Sequence, residues 1–518
     1  MPSDTLPLRL ADSDTFATAR ALFVRCEYTE PALLRRLGIA ALHEFVARRD
    51  GRTTGTSLDD PLDACVRLFL DAESVPDGLL EEWWGTEALA AVRATGLLET
   101  ASHESSWATA LCYPIDGFWL ASDVAASMRD GVPERLDIVY PAMTTNTRRF
   151  LDSVPETPCE RFLELCGGTG AAALRAARGG AAAWTTDITE RSTHFATFNA
   201  ALNAVPGCVA CTGDLYAAVP RQTFDRIVAH PPYVATPTTR LIFRDGGADG
   251  EAVTQRIIAG LPGALTRGGR SYVTCMATDR SDSPLEQRIR GWLGPAGDEF
   301  DVNVFVRTSF TPAEYYERAA ADKGMPVAES QEWVRYFERL AVTHLVYASI
   351  VLERHRTPRA PCTRRRIRAA DVPQIVIERM LDWEGLFAEP VTPSQVSALR
   401  PQLRPTVRLA AQLRAECGMW VPEVTLLENA SPLRVQVEMP PAAAAVVARM
   451  DGTVPISALH ADVVSRGELP TGAAPEEVRR FVHQLLSAGM IEFPNDEAGG
   501  GSALVHESDR HRDGMGAY

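Results

Sequence analysis

Residues 162–174, FLELCGGTGAAAL, decide the fold. An apolar run carrying Glu164 breaks into Cys166, Gly167, Gly168 and Gly170, and alanine-rich, helix-forming sequence follows at once. Glycines at such a turn let the backbone bend sharply and approach a ligand with no Cβ in the way. A glycine-rich strand-to-helix turn also serves dinucleotide enzymes, so the flanking sequence must discriminate.

Working outward, AAAWTTD ends a second apolar run at Asp187, twenty-three residues after Glu164, with Ile188 next. An acid at that place accepts hydrogen bonds from both hydroxyls of a ribose. CVACTGDLY ends a third run at Asp214 and Leu215, where a carboxylate meets an adenine amino group. FDRIVAHPPYVATP, residues 224–237, then delivers His230, Pro231, Pro232 and Tyr233 from the end of a fourth. A dinucleotide enzyme has no use for that last element. From about 137 to 356 such runs alternate with helix-like sequence, the mark of a parallel sheet covered by helices. EFDVNVFVRTSF and THLVYASIVLER read as the last two strands, enclosing a polar helical insertion.

From glycine loop to HPPY the sequence resembles the class I methyltransferases that use S-adenosylmethionine. Within them it is most similar to the HemK-like branch of the small methyltransferase domain family, with HPPY in place of NPPY. The segment RDGGADGEAV and the turn LTRGG fit that resemblance, which covers about residues 137–280. It implies an α/β, Rossmann-like seven-stranded core. It also implies S-adenosyl-L-methionine as cofactor, with S-adenosyl-L-homocysteine as product. The methionine end is expected over Glu164, Cys166, Gly167, Gly168 and Gly170, the ribose on Asp187 beside Ile188, and the adenine on Asp214 and Leu215. Cys166 departs from the family's usual glycine.

His230 is the larger departure. In the Asn form of the motif a side-chain oxygen accepts a hydrogen bond from the substrate amino group, and the tyrosine stacks on a planar acceptor. A neutral imidazole offers one acceptor and one donor. Two readings stay open: acceptance from a nitrogen, which is favoured, or general-base removal of a proton from a hydroxyl or acidic carbon. Pro231 and Pro232 stiffen the loop, and Tyr233 is expected to form a stacking wall. A non-catalytic binding module on the same fold is a further alternative. His194 is read as packing or as a cofactor-side contact. No His or Cys pairs sit at metal-ligand spacing, so no metal is expected.

The net charge of −15 disfavours a general polyanion binder. The acceptor is therefore expected to be a small molecule or peptide, with ribosomal RNA or a protein glutamine as alternatives. RHRTPRAPCTRRRIR, residues 354–368, packs seven arginines into fifteen residues and is read as a solvated connector, with a phosphate or acidic-substrate contact as the alternative. The ten cysteines form no dense framework, CVAC included, and no apolar run is long enough to span a membrane. A cytoplasmic protein is expected. Residues 1–136 read as a mainly helical domain, with a hairpin turning at Asp116-Gly117. Residues 137–356 read as the methyltransferase domain and 357–436 as an Arg/Pro-rich connector followed by helix. Residues 437–496 read as three helices and a strand, a winged-helix-like module for interaction or homodimerisation. Residues 497–518 read as a flexible tail.

Overall fold

In the middle of the chain, buried apolar runs form strands and the alanine-rich or amphipathic runs between them form helices. In order these are β1 (Arg161–Leu165), α1 (Ala171–Arg178), β2 (Ala182–Asp187), α2 (Glu190–Leu202), β3 (Cys208–Thr212), β4 (Phe224–Ala229), α3 (Ala252–Ala264), β5 (Leu265–Arg280) and β6 (Val342–Arg354). The computed structural model describes residues 6–48, 57–101, 104–124, 135–236, 241–323, 325–388, 393–440, 443–467 and 475–493. The expected tail at 497–518 lies outside them. The chain divides into two compact units, residues 1–297 with 310–354, and residues 298–309 with 355–518.

In the first unit the strands run β3-β2-β1-β4-β5-β6. β1 to β5 pair in parallel, and β6 returns antiparallel against β5. The order reverses between β1 and β4, so connections leave on opposite faces and a crevice opens at the carboxyl ends of those two strands. This is a Rossmann-like α/β core with a mostly parallel sheet.

The preceding residues are built onto α2. Helix Ser13–Arg25 sets Phe16 edge-on to Phe198 at 5.4 Å. The expected hairpin forms from Leu111–Ile115 and Phe118–Ser122, and Asp116 (φ 51°) and Gly117 (φ 73°) make its turn. Asn203 exchanges hydrogen bonds with the Trp119 backbone at 2.8 and 2.7 Å. Buried Asn199 accepts from Ala121 N at 2.7 Å and donates to Ala121 O and to Thr169 O of the glycine turn. One amide thus ties hairpin, helix and turn together. His194, left between two roles by the sequence, bonds Leu8 O at 2.9 Å. It packs the N-terminal segment and has no place at the cofactor crevice.

The insertion before β6 forms helices Pro312–Lys323 and Val327–Arg339. Polar as they read, they share an aromatic face: Tyr316 stacks on Trp333 at 5.8 Å, and both join Phe337, Val342, Leu345 and Ala235.

The second unit corrects two expectations. Residues 298–309 fall in the second unit, where strand Phe300–Phe310 pairs in parallel with Thr363–Ile367. Residues 363–367 of the arginine run read as a solvated connector form that partner strand. It tolerates burial because Arg366 is held by Glu384 and Asn303, and Arg368 by Gln374 and the Val372 carbonyl. The stretch read as connector and helix also contains an antiparallel sheet of Arg408–Glu416, Met419–Asn429 and Val435–Met439. Helices Ala443–Ala448, Ile456–Ser465 and Pro475–Ser487 follow, and strand Ile491–Glu492 pairs with Gln402–Leu403. Among the described residues no helix is long and apolar enough to cross a membrane.

Asn199→Ala would strand the Ala121 amide and remove the tie to Thr169. Chemical denaturation is expected to show a loss of at least about 2 kcal/mol, since each unsatisfied buried group costs ~1–3 kcal/mol.

Candidate active site

Sheet register assembles the site. Leu165 of β1 pairs with Thr186 on one side and Ala229 on the other. One residue further along, Cys166, Asp187 and His230 therefore emerge together at the carboxyl edge. Asp187 pairs with Thr212 of β3, which brings Asp214 to the same edge.

The glycine turn is tightly specified. A Cβ on Gly167 would meet Thr185 Oγ1 at 1.9 Å, whereas the same position on Gly168 faces open space. Cys166 takes a positive φ of 55°, a conformation that favours the family's usual glycine. Glu164 is buried, and its carboxylate accepts from Ala172 N at 3.2 Å and Ala173 N at 3.0 Å. It caps α1, whose own N-cap, Gly170, has no side chain to do so. Burial pushes its carboxyl up to about 7, against the pull of those two amides. Asp187 accepts from Gly168 N and Thr189 N, both at 3.1 Å, so one carboxylate fixes the turn and the start of α2. Burial raises its pKa. Ile188 is 57% exposed beside it. Asp214 is half-exposed and pairs with Arg256 of α3 at 2.5 Å, and Leu215 after it is buried.

On the other side of the crevice, the His230 ring stacks on Phe150 with centroids 5.3 Å apart and planes 15° apart. It lies 5.7 Å from the Tyr233 ring. His230 Nε2 is buried without a hydrogen-bond partner, and burial lowers the ring's pKa to about 4. The imidazole is therefore neutral at physiological pH. Tyr233 accepts a hydrogen bond from Asn146 Nδ2 at 2.8 Å and meets Tyr347 edge-on at 6.2 Å. Asn146 and Phe150 lie on one face of helix Thr145–Leu151. Sequence reasoning missed both, although their i,i+4 spacing in NTRRF was the available signal.

The loop is braced from below by GGADGE, residues 246–251. Gly246 N donates to Val234 O at 2.8 Å, and Thr236 N to Gly247 O at 2.9 Å. A Cβ on Gly246 would lie 2.7 Å from Pro232 O and 2.8 Å from Tyr233 Cα; one on Gly250 would lie 2.4 Å from Tyr233 O. Buried Glu251 accepts from Thr278 N and Oγ1 and from Arg288, which fixes this segment to β5. A separate cavity of about 250 Å³, lined by Phe162, Arg175 and Arg226, includes a residue near the start of β1. It is remote from the carboxyl ends, where open α/β sheets bind ligands.

Residues 142–291 match the family model of the methyltransferase small domain. No protein of curated function matches the chain. Among solved structures it is similar to a ribosomal protein L11 methylase from Lactobacillus delbrueckii subsp. bulgaricus, at 17% identity over 40% of this chain and 77% of that one, TM-score 0.24. It is also similar to a SAM-dependent methyltransferase from Agrobacterium tumefaciens, at 15% identity over 48% and 70%, TM-score 0.28. A third is M. jannaschii TYW2 in complex with AdoMet, at 11% identity over 48% and 87%, TM-score 0.28. At those scores the structural likenesses carry no argument, and the family match carries it. The protein is an S-adenosylmethionine-dependent methyltransferase, and S-adenosyl-L-methionine is its cofactor.

Gly246→Ala forces backbone apart beneath His230 and is expected to cost ~1–3 kcal/mol in urea denaturation. Gly263→Ala, in α3 with open space for a Cβ, is expected to gain up to about 1 kcal/mol.

Proposed function

We propose that the enzyme methylates a nitrogen on a small-molecule or peptide acceptor, with His230 Nε2 accepting a hydrogen bond from that nitrogen. The observation carrying this reading is the buried, partnerless Nε2 on a ring that burial keeps neutral. An acceptor atom without a partner inside a protein is a cost that a bound N–H removes. General-base catalysis is the weaker reading, because a base with a pKa near 4 has little driving force to take a proton at neutral pH. Pro231 and Pro232 fix the direction of the loop, and Tyr233, held through its hydroxyl by Asn146, supplies an aromatic wall for a planar acceptor.

The cofactor's place is read from the opposite wall. The open side of Gly168 admits a ligand close to the backbone, Asp187 faces the ribose hydroxyls, and exposed Ile188 covers one side of the adenine. Asp214 and Leu215 meet the adenine edge, with Arg256 orienting the carboxylate. Glu164 acts indirectly, by holding α1 and therefore the turn. The cofactor supplies a sulfonium methyl group that is already reactive, so the protein's part is positioning. Neutral His230 orients the acceptor lone pair, and the rings of Phe150 and Tyr233 exclude water.

The acidic chain favours a small molecule or peptide over ribosomal RNA, and the HemK-like features keep a protein glutamine as the second reading. The N-terminal region, tied through Asn199 to the glycine turn, is read as a support for the cofactor site. The helices after residue 437 are read as a winged-helix-like interaction module, and the compartment as the cytoplasm.

Asp187→Ala is expected to weaken S-adenosyl-L-homocysteine by roughly ten- to a hundred-fold in calorimetry, the worth of charged hydrogen bonds; unchanged affinity would remove this cofactor assignment. Across a panel of nitrogen, hydroxyl and acidic-carbon acceptors, release of S-adenosyl-L-homocysteine is expected with nitrogen only and to survive in His230→Asn. Hydroxyl turnover abolished by His230→Asn would replace this reading with the general base. His230 also makes a signed contribution to stability. With a folded pKa near 4 and an ordinary value near 6.5, the unfolded state binds the extra proton between those limits. Its contribution is therefore full above pH 6.5 and falls as pH drops towards 4. Wild type is expected to lose about 3 kcal/mol more than His230→Asn over that window.

A further inference from the structure

The second unit carries a β ribbon with no third strand over much of its length. Arg408–Glu416 pairs antiparallel with Met419–Asn429, but Val435–Met439 covers only residues 425–429 of the latter. Every residue of Arg408–Glu416 is exposed, and its outer edge pairs with no strand among the described residues. Two-stranded ribbons are marginal in water, and a long exposed edge is a template for another strand.

Side chains alternate along Arg408–Glu416, and the register with the partner strand shifts by one residue between Gln412 and Leu413. Leu409, Ala411, Leu413 and Ala415 share one face, and the register sets Leu413 opposite Pro422 and Ala415 opposite Trp420. Leu409 is 55% exposed, Leu413 50% and Trp420 71%. No charge interrupts that face to protect it.

The charges on the other face are ordered. Read antiparallel to itself about Gln412, the strand RLAAQLRAE sets Arg408 against Glu416 at both ends and Gln412 against Gln412. The same alignment sets Leu409 against Ala415 and Ala411 against Leu413, each on the apolar face. Among the described residues the present partners leave these charges available: Arg408 donates to the carbonyls of Pro405 and Val407, and Glu416 pairs with exposed Arg414 at 3.0 Å. Surface pairs of that kind are worth little.

We propose that Arg408–Glu416 is a dimerisation edge, whose occupant is the same strand of a second copy of this chain. Pairing about a two-fold axis at Gln412 joins two ribbons into a four-stranded sheet and merges the two Leu409–Ala415 faces into one apolar surface. Such a contact is isologous, so it closes at two copies instead of propagating.

Sedimentation velocity of the full chain at micromolar concentration tests this. Wild type is expected to be a dimer. Arg408→Glu places like charges opposite each other at both ends, and is expected to weaken association by roughly ten-fold or more. Glu416→Arg is expected to do the same. The double variant Arg408→Glu/Glu416→Arg exchanges the partners and is expected to restore the dimer. All three change only exposed side chains, so cofactor binding should match wild type. A monomeric wild type, or single variants that dimerise as well as wild type, would overturn the proposal. So would a double variant weaker than either single one.

Discussion

The pairing of Leu165 with Ala229 is the constraint on which the rest of the site depends. β1 and β4 are separated in sequence by two strand–helix units, yet lie side by side because strand order reverses there. In parallel strands with that register, the glycine turn after β1 and the HPPY loop after β4 must face each other across one crevice. A one-residue slip in either strand would send every side chain beyond it to the opposite face. The hydrophobic pattern of the strands thus positions the chemistry, although none of the strand residues performs it.

Two close packings hold the walls of that crevice. On the wall built by the glycine turn, carboxylates act as staples: Glu164 binds the start of α1, and Asp187 the turn and the start of α2. On the wall built by the HPPY loop, the staples are backbone contacts, in which Gly246 and Gly250 lie so near Pro232 and Tyr233 that no side chain fits between them. The helix Thr145–Leu151 holds both rings of that loop, Phe150 on His230 and Asn146 on Tyr233. The histidine's chemistry follows from the packing, since its low basicity is a consequence of burial against Phe150 with no charge to favour the imidazolium.

The arginine-rich stretch shows where pattern reading fails. TRRRI has the composition of an exposed connector, because arginine alone in a core is prohibitively costly. Its one buried side chain, Arg366, is accommodated because Glu384 and Asn303 stand opposite, and their distance along the chain hides them from any local window. The ribbon at residues 408–429 was missed for the opposite reason. Its first strand, Arg408–Glu416, is exposed along its whole length, so it gave no signal of burial.

The amino-acid sequence by itself determined the reaction class and the order of strands and helices around the crevice. Those features are local: a glycine turn, an acid ending a strand and a rigid proline loop each announce themselves within a few residues. Only the tertiary structure decided what surrounds them. That Glu164 caps a helix, that His194 holds the N-terminal segment, and that His230 is buried, neutral and partnerless depend on residues distant in the chain. Burial and hydrogen-bond satisfaction belong to the assembled environment, and they set whether an imidazole at the end of β4 takes a proton or accepts a hydrogen bond.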